Sequence, residues 1–145
     1  MPRMAETLRI TQADSSIVDD INRLLKQLNA DKEEVALAKI QEIVISPTAE
    51  LWIVKDGEQV IGMSTINFLQ RVMGSVGYVD DVVIDESHRG KGLGTKLMEA
   101  IIQSARDRGV ERVALTSRPS RGAANKLYLK LGFKMKQTNA FRLKL

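Results

Sequence analysis

Apolar residues recur along the chain with two different periods, and the places where the period changes divide it into elements. Thr7 to Ile10 predicts a first strand. Ser15 or Ser16 then caps a helix that carries Ile17, Ile21, Leu24, Leu25 and Leu28 at helical spacing. Asp31 caps a second, with Val35, Leu37, Ala38, Ile40 and Ile43. Pro47 ends the helical region. Leu51 to Val54 and Val60 to Ile66 flank Asp56-Gly57, a hairpin-turn dipeptide, and predict an antiparallel pair. Tyr78 to Ile84 reads as a further strand, almost continuous in Val and Ile except at Asp80 and Asp81.

The helical period returns from Leu93, with Leu97, Ile101 and Ala105 on one stripe and Lys96, Glu99, Gln103 and Arg106 opposite, up to a stop at Gly109. Val113 to Thr116 is a short apolar strand, so Tyr78 to Thr116 forms a strand, helix, strand unit whose crossover is expected to be right-handed. A last helix, capped by Ser120, carries Ala124, Leu127, Tyr128 and Leu131 and ends at Gly132. Phe133 to Met135 and Phe141 to Leu143 close the pattern as two strands around a turn near Asn139. The sum is an α/β (α+β) class with a mixed, mostly antiparallel central sheet of about seven strands and about four helices.

Composition narrows what such a fold does. A chain of 145 residues without repeat or linker is expected to form one domain over 1–145. Zero Cys excludes a disulfide framework, a Cys-based zinc site and any route through an acyl-cysteine, and a single His leaves no catalytic metal set, so none is expected. No stretch approaches the ~20 apolar residues of a membrane span, and the first residues lead into no signal-peptide core, so a soluble, cytoplasmic protein is expected. The surplus of 22 Lys and Arg over 18 Asp and Glu is small and broken by acidic pairs, which argues against a nucleic-acid partner.

The charge matters more locally. His88-Arg89-Gly90-Lys91-Gly92-Leu93-Gly94-Thr95 places three alternating glycines before the long helix, where free amides and the helix dipole favour an anion such as phosphate. The order Gly94-Thr95-Lys96 displaces the lysine of a Walker A loop, and Thr95 stands where a dinucleotide fingerprint needs a third glycine. A ligand-free glycine cap is the plain alternative, which the flanking cations and the helix-disfavouring glycines weigh against. The polar link from Asp85 to Arg89 leaves the preceding strand edge free for the rest of a long ligand.

These residues resemble the acetyl-CoA segment of the GCN5-related N-acetyltransferase (GNAT) family, whose Arg/Gln-x-x-Gly-x-Gly/Ala pattern is met by Arg89, Gly92 and Gly94. Asn125 to Phe133 is similar to the family's second block, an Asn, a Tyr and a Leu-Gly-Phe turn. The resemblance implies a GNAT acyl-CoA N-acyltransferase fold and direct transfer of acetyl from acetyl-CoA, as co-substrate, to a primary amine. It implies that Arg89, Gly90, Lys91, Gly92, Leu93, Gly94 and Thr95 hold the pyrophosphate. The backbone of Val82, Val83 and Ile84 would pair with the pantetheine, with Asn125 on its other side. An amine of pKa near 10.4 is neutral to only about one part in a thousand at pH 7, so a base is needed. Asp80 and Asp81 are the candidates. In a regular strand only one faces the substrate, and the resemblance favours Asp80; a structural role in a bulge or an ion pair is the alternative for either. Tyr128 is similar to the family's general acid, against a plain core tyrosine. His88 reads as a solvated loop residue, and Arg118 and Arg121 as contacts for the CoA 3′-phosphate or an anionic substrate, with exposed arginines of no specific role as the alternative. The acceptor is expected to be a small-molecule amine, with a protein N-terminus or lysine, or a non-catalytic CoA-binding module, as alternatives, and a homodimer is compatible with the family.

Overall fold

The computed structural model describes residues 4–145. Strand β1 (Glu6–Ile10) leads through a 3-10 turn at Ser15–Ile17 into helices α1 (Val18–Leu28) and α2 (Leu37–Ile45). Strands β2 (Ala49–Asp56), β3 (Gln59–Leu69) and β4 (Val76–Ile84) follow. A 3-10 turn at Glu86–His88 then precedes α3 (Leu93–Asp107), β5 (Arg112–Leu115) and α4 (Gly122–Lys130). The described residues form one sheet in the order β1-β2-β3-β4-β5, antiparallel except for the parallel β4–β5 pair.

Alternation along the strands builds a core on each face of the sheet. Leu51, Ile53 and Met63 pack with Ile21, Leu24, Leu25, Ile40 and Val44 of α1 and α2. On the other face Val54, Ile66 and Phe68 pack with Leu97, Met98 and Ile101 of α3 and Tyr128 of α4. Helices α3 and α4 both stop at glycines with positive φ, Gly109 (74°) and Gly132 (101°). After α4 the amide of Gly132 donates to Leu129 and that of Phe133 to Tyr128, the paired bonds of a Schellman motif. Its apolar partners are the rings of Tyr128 and Phe133, edge to face at 6.0 Å.

Three expected caps do not form. Asp14, not Ser15 or Ser16, accepts from the Ser16 amide at 2.9 Å and opens the first helical turn. Helix α2 starts at Leu37, well after Asp31, because Asn22 of α1 holds Val35 extended, donating to its carbonyl at 3.1 Å and accepting from its amide at 2.8 Å. Helix α4 starts at Gly122 with Arg121 at its cap and no side-chain cap bond, so Ser120 has no capping role.

The sheet has five strands rather than seven: neither Phe133 to Met135 nor Phe141 to Leu143 forms a strand. Alternation shows that a segment suits a half-buried sheet position, and a strand forms only where a ladder partner lies alongside.

Among the described residues Glu50 is the carboxylate buried within a strand, only 2% exposed. It accepts from Ser104 Oγ at 2.6 Å, Trp52 Nε1 at 3.0 Å and Arg108 Nε at 3.0 Å, with Arg9 Nη1 at 3.3 Å. Burial pushes its pKa up, but the Ser104 and Trp52 bonds and the Arg9 and Arg108 charges outweigh that and hold it below the ordinary value. Arg108 in turn lies 4.2 Å over the Phe68 ring.

Candidate active site

Strands β4 and β5 pair only from Val76↔Arg112 to Val79↔Leu115. Beyond that point β4 continues to Ile84 without β5, so its edge from Asp80 onward has no strand partner on that side. The divergence coincides with a bulge. Met63 pairs with Val83 and Thr65 with Asp80, so Asp81 and Val82 together oppose Ser64. Asp81 has φ 57°, the only positive φ of a non-glycine residue among those described. Ser64 Oγ (3.0 Å) and Thr65 Oγ1 (3.3 Å) donate to the Asp80 carbonyl, and Thr65 Oγ1 also donates to Asp81 Oδ2 at 3.1 Å.

The bulge removes the regular strand on which the expectation of a single substrate-facing aspartate was conditioned. Neighbouring residues of a regular strand face opposite sides, yet Asp80 and Asp81 are both exposed. Partial desolvation, and secondarily the Asp81 charge, raise the pKa of Asp80 above the ordinary carboxylate value.

The glycine loop lies past the end of this edge. Asp85 accepts from the Ser87 amide at 3.1 Å and starts the turn that leads into it. Gly90 and Gly92 have φ 81° and 78°, and a Cβ on either would meet open space, so backbone geometry is what requires glycine there. Gly94 has a different reason: its Cβ would lie 3.2 Å from Leu127 Cδ2 and 3.8 Å from Ile84, which lets α3, α4 and β4 approach closely. No side chain caps α3, and its first backbone bond runs from the Lys96 amide to Gly92, leaving the amides before it, up to Thr95, without an intrahelical acceptor. Arg89 Nε donates to the Ile84 carbonyl at 3.0 Å, and Lys91 lines a cleft of about 210 Å³ with Lys96, Leu93 and His88. His88 is not a solvated loop residue: it is half-buried, with Nε2 3.6 Å from Asp56 Oδ2 and Nδ1 3.0 Å from Ser87 Oγ. That contact lies on the β2–β3 turn.

Helix α4 closes the opposite wall. Tyr128 is 5% exposed; burial raises its pKa, while the nearby Arg121 charge acts to lower it. Asn125 Nδ2 donates to the Arg118 carbonyl at 3.1 Å, bracing the β5–α4 connection. Arg121, expected beside a phosphate or an anionic substrate, has a backbone partner instead, and Ser117 was not singled out by the sequence. Arg121 Nη2 donates to the Val82 carbonyl at 3.1 Å, across the gap where β5 has left β4. Ser117 Oγ, just past β5, is buried without a hydrogen-bond partner. A single sequence marks Arg121 as a cation near a helix start but does not reveal what it faces.

The strand edge, the glycine loop and α4 are therefore neighbours, joined by the Arg121–Val82 and Arg89–Ile84 bonds and by the close approach at Gly94, an arrangement suited to a ligand with phosphate at one end and amides along its length. An acetyltransferase (GNAT) family model matches residues 17–133. Among curated relatives, an uncharacterized N-acetyltransferase, YobR, of Bacillus subtilis is 32% identical over 89 residues, 61% of this chain and 34% of that protein. Glucosamine 6-phosphate N-acetyltransferase 1 of Oryza sativa subsp. japonica is 38% identical over 66 residues, 46% of this chain and 38% of that protein. The chain thus spans little more than a third of the length of either. An aminoglycoside acetyltransferase structure from an uncultured soil metagenomic sample shares the fold, with TM-score 0.86 at 17% identity over 97% of this chain and 96% of that one. With the family match covering both motif blocks on a fold of this kind, the chain belongs to the acetyltransferase (GNAT) family.

Proposed function

We propose that residues 1–145 act as one cytoplasmic N-acetyltransferase domain that transfers acetyl from acetyl-CoA directly to a primary amine of a small molecule. The observation that carries this reading is the unpaired β4 edge after Val79, beginning at a bulge that carries two carboxylates and ending at the glycine loop. The fit to the co-substrate rests on the uncapped α3 amides and the orphaned Ser117 hydroxyl, together with the Val82 and Ile84 carbonyls, which are held only by the long side chains of Arg121 and Arg89. Acetyl-CoA supplies the activated acyl group as a thioester.

In this reading the amides of Gly90 to Thr95 bind the pyrophosphate, with Arg89 and Lys91 adding charge. Val82, Val83 and Ile84 pair through their backbone with the pantetheine, and Asn125 bonds it from α4. Arg121 gives up the Val82 carbonyl when this happens. Asp80 takes the proton of the bound ammonium, the raised pKa of its carboxyl bringing it closer to the amine. Asp81, tethered by Thr65, holds the ammonium in place. The neutral amine attacks the thioester carbonyl and the C–S bond breaks. Tyr128 gives its phenolic proton to the departing thiolate and regains one as the attacking nitrogen loses its second proton to become the amide.

The rice relative is named for a phosphorylated aminosugar, which makes glucosamine 6-phosphate the first acceptor to test. The experiment is thiol release from acetyl-CoA over aminosugars, polyamines, other small amines and peptides. Turnover on a small amine supports the reading. Turnover confined to peptides moves the acceptor to protein, and tight CoA binding without turnover on any amine moves the chain to a regulatory module.

A further inference from the structure

Helix α1 carries a polar stripe beside its apolar one. Asp20, Arg23 and Gln27 stand at i, i+3 and i+7, and all three reach the end of the sheet where the glycine loop begins. Asp20 Oδ2 accepts from the Val60 amide at 3.0 Å, and Arg23 Nη2 donates to the Val60 carbonyl at 2.7 Å. The same Nη2 lies 3.3 Å from Asp85 Oδ2, and Gln27 Oε1 accepts from the Glu86 amide at 2.9 Å. Asp85 and Glu86 directly follow β4 and open the turn that carries the loop. Helix α1 does not need these bonds for its own place, because Ile21, Leu24 and Leu25 already bury it in the core.

The loop has little to hold it from within. Among the described residues, the side chains of 89–92 make one hydrogen bond, from Arg89 Nε to the Ile84 carbonyl, and nothing packs where a Cβ of Gly90 or Gly92 would lie. A segment rich in glycine has no stiffness of its own, so the direction of its amides is set at its two ends, by α3 and by the turn at Asp85 to His88. That turn is tied to β3 by the bond from the Asp85 amide to Ile61 at 2.7 Å and to the β2–β3 turn by the His88–Asp56 contact. The ties to α1 are the ones that come from outside the sheet. We infer that Gln27 and Arg23 are positioning residues for the anion loop: by fixing Glu86 and Asp85 against α1, they hold the amides of Gly90 to Thr95 in the arrangement that receives phosphate. The identity of that phosphate, the pyrophosphate of CoA, rests on the function proposed above. Neither side chain touches the ligand. A donor set held in place before binding loses less freedom on binding, so affinity depends on the anchoring, whereas the thioester end at Asp80 and Tyr128 is left as it is.

Gln27→Met keeps the length of the side chain and removes the acceptor. Calorimetric titration of the full chain with CoA should give a dissociation constant raised about fivefold, one hydrogen bond's worth. Hydrogen exchange of the same chain without ligand, read by mass spectrometry, should be faster across 86–95 and unchanged in α1 and the body of α3. Gln27→Glu restores the acceptor and should return both readings close to native. Arg23→Lys keeps the charge but cannot span Val60 and Asp85 together, so it should raise the constant as well. The double variant should raise it by less than the product of the two single effects, because both act through one turn. Where the native chain binds CoA, an unchanged constant in Gln27→Met overturns the inference. So does exchange that rises throughout the chain, which is the mark of a merely structural role. A native chain that does not bind CoA refutes the acetyl-CoA reading instead, and faster exchange confined to 86–95 in Gln27→Met then still supports the positioning of the loop by α1.

Discussion

Replacing Tyr128 by Phe separates a chemical role from a packing role, because the structure gives the ring and the hydroxyl different neighbours. The ring is buried in the α3/α4 core and meets Phe133 edge to face, contacts that phenylalanine keeps. The hydroxyl has no hydrogen-bond partner among the described residues, so its loss removes no bond and stability should stay within about 0.5 kcal/mol of native or rise slightly. Its chemical loss is larger. A thiol near pKa 8.5 and a phenol above 10 differ by at least about 1.5 units, so the proton transfer is uphill by roughly 2 kcal/mol and calls for a held donor. A positioned acid of this kind contributes about 10²-fold or more. The expected outcome is therefore a kcat reduced about 10²-fold, about 2.7 kcal/mol, with KM for acetyl-CoA and melting temperature nearly unchanged. The pH dependence has a defined sign. Folding raises the Tyr128 pKa above its unfolded value near 10.0, so the native chain loses stability as pH climbs from 10 through the folded value, and the variant lacks that loss. Thiol-release kinetics and thermal melts from pH 7 to above 10 read all of this. Turnover within about threefold of native would refute the acid assignment, and a melting temperature many degrees lower would show that the hydroxyl has a structural partner.

Asp80→Asn is expected to lower kcat/KM by about 10²-fold or more and to remove the acidic limb of its pH profile, which in the native enzyme lies above the ordinary carboxylate value near 3.9. A raised carboxyl pKa means stability is lost as pH rises through it, so the same variant should melt at or above the native temperature at pH 7. Arg121→Ala frees the Val82 carbonyl in advance and should lower KM for acetyl-CoA about fivefold, one hydrogen bond's worth, as read by initial rates; a raised KM would assign Arg121 to the cofactor's phosphates instead. Glu50→Gln removes the charge shared by Arg9 and Arg108 and should cost about 3 kcal/mol, a fall of roughly 10 °C in melting temperature. Because the Glu50 pKa is lowered by folding, that stability is present above the unfolded value near 4.5 and lost as pH falls, so native and variant curves should converge in acid.

Elements defined by their own residues were legible in the sequence. The α3 stripe, the Asp56-Gly57 turn, with Gly57 at φ 63°, and the glycine stops follow from local spacing and steric rules. The left-handed turns of the loop at Gly90 and Gly92 were equally readable from the glycines, although the packing reason for Gly94 needs Leu127 beside it. What the sequence withheld depends on a partner. A bulge exists only relative to the opposing strand, so Asp80 and Asp81 looked like alternating positions until Ser64 was placed against Asp81 and Val82. The caps at Asp31 and Ser120 were reasonable locally and lost to Asn22 and to the turn at Arg118, both of which are distant or backbone interactions.

Asp81 is surplus to the packing of β4. Val79, Val82 and Ile84 turn toward α3 while Val83 turns toward α1 and α2. Deleting Asp81 alone would leave 79, 80, 82, 83 and 84 in simple alternation, with every apolar side chain on the face it already occupies. The core would be satisfied by a strand one residue shorter, and free of a left-handed residue that costs on the order of 1 kcal/mol. The fold thus carries a residue that works against its stability, and what the strain maintains is a bulged edge with two adjacent carboxylates exposed on it.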